Sequence, residues 1–277
     1  MNPNDIAAVL ERLRAQHPLI LSLTNTVVQP ITANMLLAVG AAPVMLNDAE
    51  ETEQLLCTCA NGLLVNVGTL SHPQAEQMRR AVCAAQAARI PWVLDPVAVG
   101  LLRFRTEFCQ ELLTLHPTLI RGNASEIMAL AGEAPGGRGT DSTAESEAAV
   151  HAARLLAQQF GCTVLVTGAV DYVTDGARVA ALGNGHPLMT RVTGVGCAMG
   201  ALAAACVASA PDAFIGAAAC AAILGLAGER AAARCPRPGA FAVALLDELD
   251  ALTSSDVVQY ARVAEKSACG DSGVVLE

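Results

Sequence analysis

Rings are scarce in this chain. Of its 277 residues only 3% are aromatic: one Trp, two Tyr and five Phe. So few leave no stacking platform for nucleobases. Positive charge is short as well. Seventeen Lys and Arg face 26 Asp and Glu, for a net charge of −9, and no basic run offsets the balance. A nucleic-acid partner is therefore not expected, because such proteins carry a basic footprint. Any phosphate must be held locally, by a few side chains and backbone amides. Charged residues make up only 16% against 53% hydrophobic, which excludes a disordered chain.

Other signals are missing too. The start, MNPNDIAAVLERLRAQ, lacks the basic and apolar regions of a secretory leader and reads as an amphipathic helix. A cytoplasmic protein with reduced thiols is expected. Its ten cysteines are scattered, and Cys57-Thr58-Cys59 has neither a zinc nor a redox spacing. Most of the others sit among Ala and Leu, where Cys behaves as a small hydrophobe. None of the five histidines has metal-ligand spacing, and His17, His72, His116 and His186 each precede Pro. The mean hydropathy is +0.44. The richest stretch, Ala201 to Gly228, is split by Pro211 and Asp212, and each half is expected to fall short of the ~18–20 apolar residues of a membrane span. Two buried helices and no membrane partner are the reading.

What is present is alternation. Short apolar runs at Leu19–Thr24, Pro43–Leu46, Gly62–Val67, Trp92–Asp95, Thr118–Arg121 and Thr163–Thr167 read as strands. Between them Ile31–Val39, Ala49–Cys59, His72–Arg89, Ala124–Ala131 and Ala144–Phe160 read as helices. Gly132–Thr143 reads as a loop. Asp171–Thr174 and Arg178–Ala181 flank Asp175-Gly176, a hairpin signal, and from Gly196 onward the chain reads as mainly helical. Such alternation predicts an α/β fold, a mostly parallel central sheet with helices on both faces. No linker divides the chain, so residues 1–277 read as one domain. In such sheets ligands bind beyond the carboxyl ends of the strands.

Four segments there carry chemistry. Thr193-Gly194-Val195-Gly196-Cys197 opens an Ala-rich helix. Glycines before a helix free amide N–H groups to face an anion, and the helix dipole adds positive potential. The same field predicts a Cys197 biased toward thiolate. Glycines also serve plain close packing. Asn123-Ala-Ser-Glu126 follows a strand; its spacing is that of a capping box, with Glu126 reaching back. Asp95-Pro96 is a common turn, yet it sets a carboxylate where Glu126 also lies. Two carboxylates beside an anion hole suit Mg²⁺, which takes few protein oxygens plus phosphate and water. Thr167-Gly168 ends a strand at a sharp turn.

Together these segments resemble the ribokinase-like superfamily of small-molecule kinases, and within it the hydroxyethylthiazole kinase family. The marks are Leu23-Thr-Asn-Thr-Val-Val28, Asp95-Pro-Val-Ala-Val-Gly100, Arg121-Gly-Asn-Ala-Ser-Glu126, Asn184-Gly-His-Pro-Leu188 and Gly194-Val-Gly-Cys197, in this order. The resemblance implies a single-domain ribokinase-like fold without a separate lid domain. It implies ATP-dependent phosphorylation of 4-methyl-5-(2-hydroxyethyl)thiazole in thiamine biosynthesis, with Mg²⁺. Cys197 stands where most of the superfamily carries an Asp base. Met45 and Gly194 are implied to line the thiazole site, with Asn25 and Val27 shaping it. Arg121 and Thr167 are implied to bind ATP, with Gly196 in the anion loop, and Asp95 and Glu126 to serve the metal. A homotrimer with active sites between subunits is implied, Met45 reaching a neighbour's site.

Two other classes compete. A cysteine-nucleophile hydrolase would share the thiol at a helix start but needs an oriented His, and no partner is visible. A non-catalytic nucleotide-binding or membrane subunit would use the Ala-rich helices for assembly. Nearer by, the substrate could be a hydroxymethylpyrimidine or another vitamin alcohol.

Overall fold

The structure, a computed structural model, describes residues 1–133 and 142–267. The expected loop at Gly132–Thr143 lies mostly outside the described residues, as does Cys269. Six parallel strands form first: β1 (Leu19–Leu23), β2 (Ala42–Val44), β3 (Gly62–Asn66), β4 (Trp92–Asp95), β5 (Leu119–Asn123) and β6 (Thr163–Thr167). Three antiparallel ones follow, β7 (Asp171–Thr174), β8 (Arg178–Leu182) and β9 (Val263–Ser267). All nine join one sheet in the order β2-β1-β3-β4-β5-β6-β7-β8-β9.

The strand sequences explain why the sheet is buried. Runs such as LILSL and TVLVT are apolar at nearly every position, and their successive side chains enter opposite cores. Ile20, Leu64, Val93, Leu119 and Leu165 face one core; Leu21, Leu63, Leu94, Ile120 and Val164 face the other. The first core is closed by α1 (Pro3–Gln16), α2 (Gln29–Val39), α8 (Val195–Ala208), α9 (Ala213–Arg234), α10 (Pro238–Ala251) and α11 (Ser254–Tyr260). The second is closed by α3 (Ala49–Thr58), α4 (His72–Ala88), α5 (Arg103–Leu113), α6 (Ala124–Leu130) and α7 (Ser142–Phe160). Helix starts carry the chemistry that fixes them. Asn2 caps α1 with Asp5 reciprocating, and Ser71 caps α4 with Gln74 reciprocating.

Two expectations need correction, and one helix was not expected. Helix α5 escaped the sequence reading: its N-cap, Leu102, makes no side-chain hydrogen bond, so no start signal marks it. The end of the chain is not wholly helical, since β9 returns to pair with β8. Nor does each half of the apolar stretch fall short of a span: α9 runs 22 residues and is long and apolar enough to cross a membrane. Its burial explains it otherwise. Of its most apolar 18-residue window, 78% is packed inside the protein, against α1, α8, α10 and the sheet.

Register then gathers the polar strand ends. Asn66 pairs with Asp95 across β3 and β4, and Asn123 with Thr167 across β5 and β6. These residues, with Asn25 just beyond β1, share the carboxyl edge, where α8 begins.

Candidate active site

The α8 start is shaped by Gly194. Its φ of 91° is a left-handed conformation, and a Cβ there would fall 2.8 Å from Ile31 Cγ2 and 2.9 Å from Val28 Cγ1. Only glycine satisfies both conditions. Gly196 follows on the same turn; a Cβ on it would sit 3.3 Å from a terminal nitrogen of Arg121. The glycine loop and the Arg121 guanidinium therefore face each other. Arg121 also donates to Thr167 Oγ1 at 3.1 Å.

Behind Cys197 lies a chain of buried amides. Val27 N–H donates to Asn25 Oδ1 at 3.2 Å, and Gly68 N–H donates to Asn66 Oδ1 at 2.9 Å. A backbone N–H can only donate, so each amide oxygen is committed and each NH₂ group points onward. Asn25 Nδ2 donates to Asn66 Oδ1 at 3.0 Å and to Cys197 Sγ at 3.4 Å. Asn66 Nδ2 donates to Asp95 Oδ2 at 2.6 Å. The thiol thus meets an oriented donor and no base. Burial pushes the Cys197 thiol above its ordinary value, and the negative charge of Asp95 pushes the same way; the amides and Arg121 oppose. The expected bias toward thiolate is not what the site produces: desolvation of a half-buried sulfur outweighs the donors around it.

Asp95 is fully buried. Burial raises its carboxyl to about 7, opposed by the Arg121 charge, reinforced by Glu126 and opposed by the Asn66 hydrogen bond. Arg121 lies 3.6 Å from Asp95 Oδ1, an ion pair too long to be a hydrogen bond. Asp95 Oδ1 accordingly has no hydrogen-bond donor. Glu126 is spanned between two backbone N–H groups, accepting from Ala98 at 3.0 Å and from Asn123 at 2.9 Å. Asn123 returns the bond to Glu126 N–H, so the capping box is real. A buried carboxylate oxygen without a donor is what a cation would explain. Among the described residues no group of three or more His, Cys, Asp or Glu gathers. A cation here would take at most this carboxylate pair, its other ligands being water and phosphate, which is the habit of Mg²⁺.

Beside the glycine loop opens a cavity of about 550 Å³. Arg121, Asn123, Thr167, Gly168 and Gly196 line one end, and the Asn184–Pro187 segment with α9 lines the rest. Its volume suits a nucleotide-sized ligand. Asp171 also faces it. Burial raises this carboxyl to about 6, opposed by its bond from Gly168 N–H and by Arg121.

Sequence reasoning named Asn25, Asp95, Arg121, Glu126, Thr167, Gly194, Gly196 and Cys197, and the fold brings them to this edge. Val27 is there through its backbone, while its side chain is 64% exposed. Met45 lines a separate small pocket, with Ser22, Thr24, Gln29 and Gln77. Asn66 was missed. Its only signal is a polar residue ending an apolar strand beside the strand that ends in Asp95.

The sequence profile of the hydroxyethylthiazole kinase family matches residues 10–255. The chain belongs to that family. This kinase is 54% identical to a hydroxyethylthiazole kinase of Akkermansia muciniphila, over 93% of the chain and 95% of the relative. It is 50% identical to one of Escherichia coli strain 55989, over 89% and 94%. Among solved structures it resembles the hydroxyethylthiazole kinase protein of Pyrococcus horikoshii, at 37% identity and a TM-score of 0.87, covering 95% and 99% of the two chains. A Bacillus subtilis pyridoxal kinase, 16% identical with a TM-score of 0.56 over 76% and 91%, shares the fold alone. The ribokinase-like α/β architecture expected from the sequence is thereby borne out, and the kinase is a phosphotransferase.

Proposed function

We propose that this kinase moves the γ-phosphoryl group of ATP to the hydroxyl of 4-methyl-5-(2-hydroxyethyl)thiazole, giving the monophosphate and ADP, in thiamine biosynthesis or salvage. The observation that carries the reading is the placement of Cys197. It sits on a glycine-opened helix start, held by Asn25, beside the nucleotide-sized cavity and its Arg121–Thr167 pair.

Phosphoryl transfer runs through a loose transition state, so positioning and charge neutralisation matter more than a strong base. Arg121, Thr167 and the Gly196 amide hold the phosphates of ATP. Cys197 first loses its own proton to solvent; the thiolate, supported by the Asn25 amide, then accepts the hydroxyl proton late in the transfer and returns to the thiol. Burial that holds the thiol above its ordinary value leaves little thiolate at rest but makes that thiolate the stronger base. Gly194, Asn25, Val27 and Met45 form the thiazole site. Asp95 and Glu126 would hold Mg²⁺, partly through water. When bound, Mg²⁺ supplies neutralisation of the transferring phosphates.

The reading includes assembly. In a homotrimer whose sites lie between subunits, Met45, which lines a separate small pocket of its own chain, would reach a neighbour's site, and the exposed Val27 side chain would be covered. The whole chain acts as one kinase domain in the cytoplasm.

A coupled ADP-release assay tests the substrate, with the thiazole alcohol, hydroxymethylpyrimidine, pyridoxal and ribose as acceptors. Strong turnover is expected with the thiazole alcohol alone. Equal turnover with hydroxymethylpyrimidine would move the assignment to the neighbouring vitamin-alcohol kinases.

A further inference from the structure

One wall of the 550 Å³ cavity is the segment after β8, whose Asn184, Gly185, His186 and Pro187 all line it. Gly183 to His186 belong to no helix or strand, and a short 3-10 helix begins at Pro187. Something must hold this segment, and the sheet does not. The adjoining wall is α9, through Ala221, Leu224 and Gly225. The two walls touch directly at Gly225, where a Cβ would fall 2.5 Å from Asn184 O.

One helical turn beyond, Glu229 reaches across to the segment. Its Oε1 accepts from Gly185 N–H at 2.9 Å, and its Oε2 accepts from Asn184 Nδ2 at 3.2 Å. Arg262, just before β9, pairs with Glu229 and donates to Gly183 O at 2.6 Å. Arg262 N–H donates to Asn184 Oδ1 at 2.7 Å, while Asn184 Nδ2 also donates to Tyr260 O at 3.1 Å. Every polar group of the Asn184 side chain is thus occupied away from the cavity. Hydrogen bonds to a charged acceptor are about twice as strong as neutral ones. The carboxylate of Glu229, neutralised by Arg262, is the strongest restraint on this wall.

We propose that Glu229 is a positioning residue for the nucleotide: it clamps the Asn184–Gly185 segment so that the cavity is formed before ATP arrives. The proposal rests on the cavity being the ATP site. Glu229 touches no reacting group, so its effect should fall on nucleotide affinity and spare the thiazole end, where Cys197 and Asn25 are held by other elements.

The test is ADP binding by titration calorimetry together with steady-state kinetics, on wild type and on Glu229→Ala, Glu229→Gln and Glu229→Asp. Glu229→Ala is expected to weaken ADP and raise the KM for ATP about tenfold, the loss of one or two such hydrogen bonds. The KM for the thiazole alcohol and kcat should stay within about threefold, as a split between the two substrates requires. Glu229→Gln keeps an acceptor for Gly185 N–H but loses the charge and one acceptor oxygen, and should recover only part of the affinity lost in the alanine variant. Glu229→Asp keeps the charge but is one methylene shorter; it should bind ADP several-fold more weakly, and it decides the matter if the alanine variant does not fold. Unchanged ADP affinity in Glu229→Asp and Glu229→Ala, whatever the change in Tm, overturns the clamp. So does an equal loss for both substrates. A wild-type protein that binds no ADP overturns the ATP-site reading beneath it, an outcome distinct from variants that bind as well as wild type.

Discussion

Asn25 aims its side-chain nitrogen at the sulfur of Cys197, 3.4 Å away, because its oxygen already accepts from the backbone of Val27. The direction of that amide follows from a backbone bond two residues on. Its consequence is chemical: the sulfur faces a donor that favours the thiolate, the form able to accept a proton.

Removing the donor should therefore slow the reaction more than it weakens binding of ATP. Asn25→Ala is expected to lower kcat about tenfold, the worth of one neutral hydrogen bond. Asn25→Asp should be worse, since a carboxylate would repel both the Cys197 thiolate and Asn66 Oδ1. Steady-state kinetics of the two variants decide the order. An aspartate variant faster than the alanine one contradicts the donor role.

Glu126 has two tasks that a substitution can separate. It bridges Ala98 N–H and Asn123 N–H, and its charge acts on Asp95. Glu126→Gln should lower kcat at limiting Mg²⁺ far more than it alters the KM for the thiazole alcohol. The melting temperature should fall modestly, in line with the ~1 kcal/mol of an impaired cap. Full kcat at low Mg²⁺ would leave Glu126 a capping residue only.

Asp171 makes stability depend on pH. Its carboxyl is raised to about 6 by burial. A raised acid binds its proton more tightly when folded, so its stabilisation is complete below about pH 4 and is lost as pH rises through 6. In the protein without nucleotide Asp171 should contribute a loss of roughly 2 kcal/mol at most over that window, less where the cavity admits water, and the more strongly raised Asp95 adds to the fall. Denaturant unfolding at pH 4.5 and 7.5 measures it. Asp171→Asn, which can still accept from Gly168 N–H, should reduce the fall and leave the part due to Asp95; an unchanged slope removes Asp171 as a source.

Assembly offers a separate check. Light scattering should give roughly 85 kDa, three times the chain mass of 28.4 kDa, as a closed trimer requires. Substituting the exposed Val27 by Glu should dissociate the assembly and the activity together. An active monomer contradicts sites shared between subunits.

The sheet was legible because its parallel strands are buried on both faces and so read as unbroken apolar runs. Glycine and proline punctuated the loops that carry the site, which made Gly194, Gly196 and Asp95 visible. What stayed hidden depends on pairing between distant segments. Strand β9 is recognisable only once β8 offers its free edge. Asn66 gains meaning only when β3 is set beside β4, with Asn66 opposite Asp95. Glu229 sits in an Ala-rich helix, and its partners Gly185 and Arg262 are 44 and 33 positions away. The thiolate expectation for Cys197 failed for a related reason: a helix start is visible in a sequence, whereas the burial of the sulfur is not.

Cys197 itself gives the most direct measurement. Steady-state kinetics of Cys197→Ala and Cys197→Asp, with ATP and the thiazole alcohol, separate a proton acceptor from a nucleophile. The alanine variant should lose about 10²–10⁴ in kcat, the worth of a positioned acid–base group, and still bind ATP. The aspartate variant should keep substantial activity, since a carboxylate is ionised at neutral pH and reaches about as far, although repulsion by the phosphates can raise its KM for ATP. A Cys197→Asp protein that folds, binds both substrates and turns over neither contradicts the account.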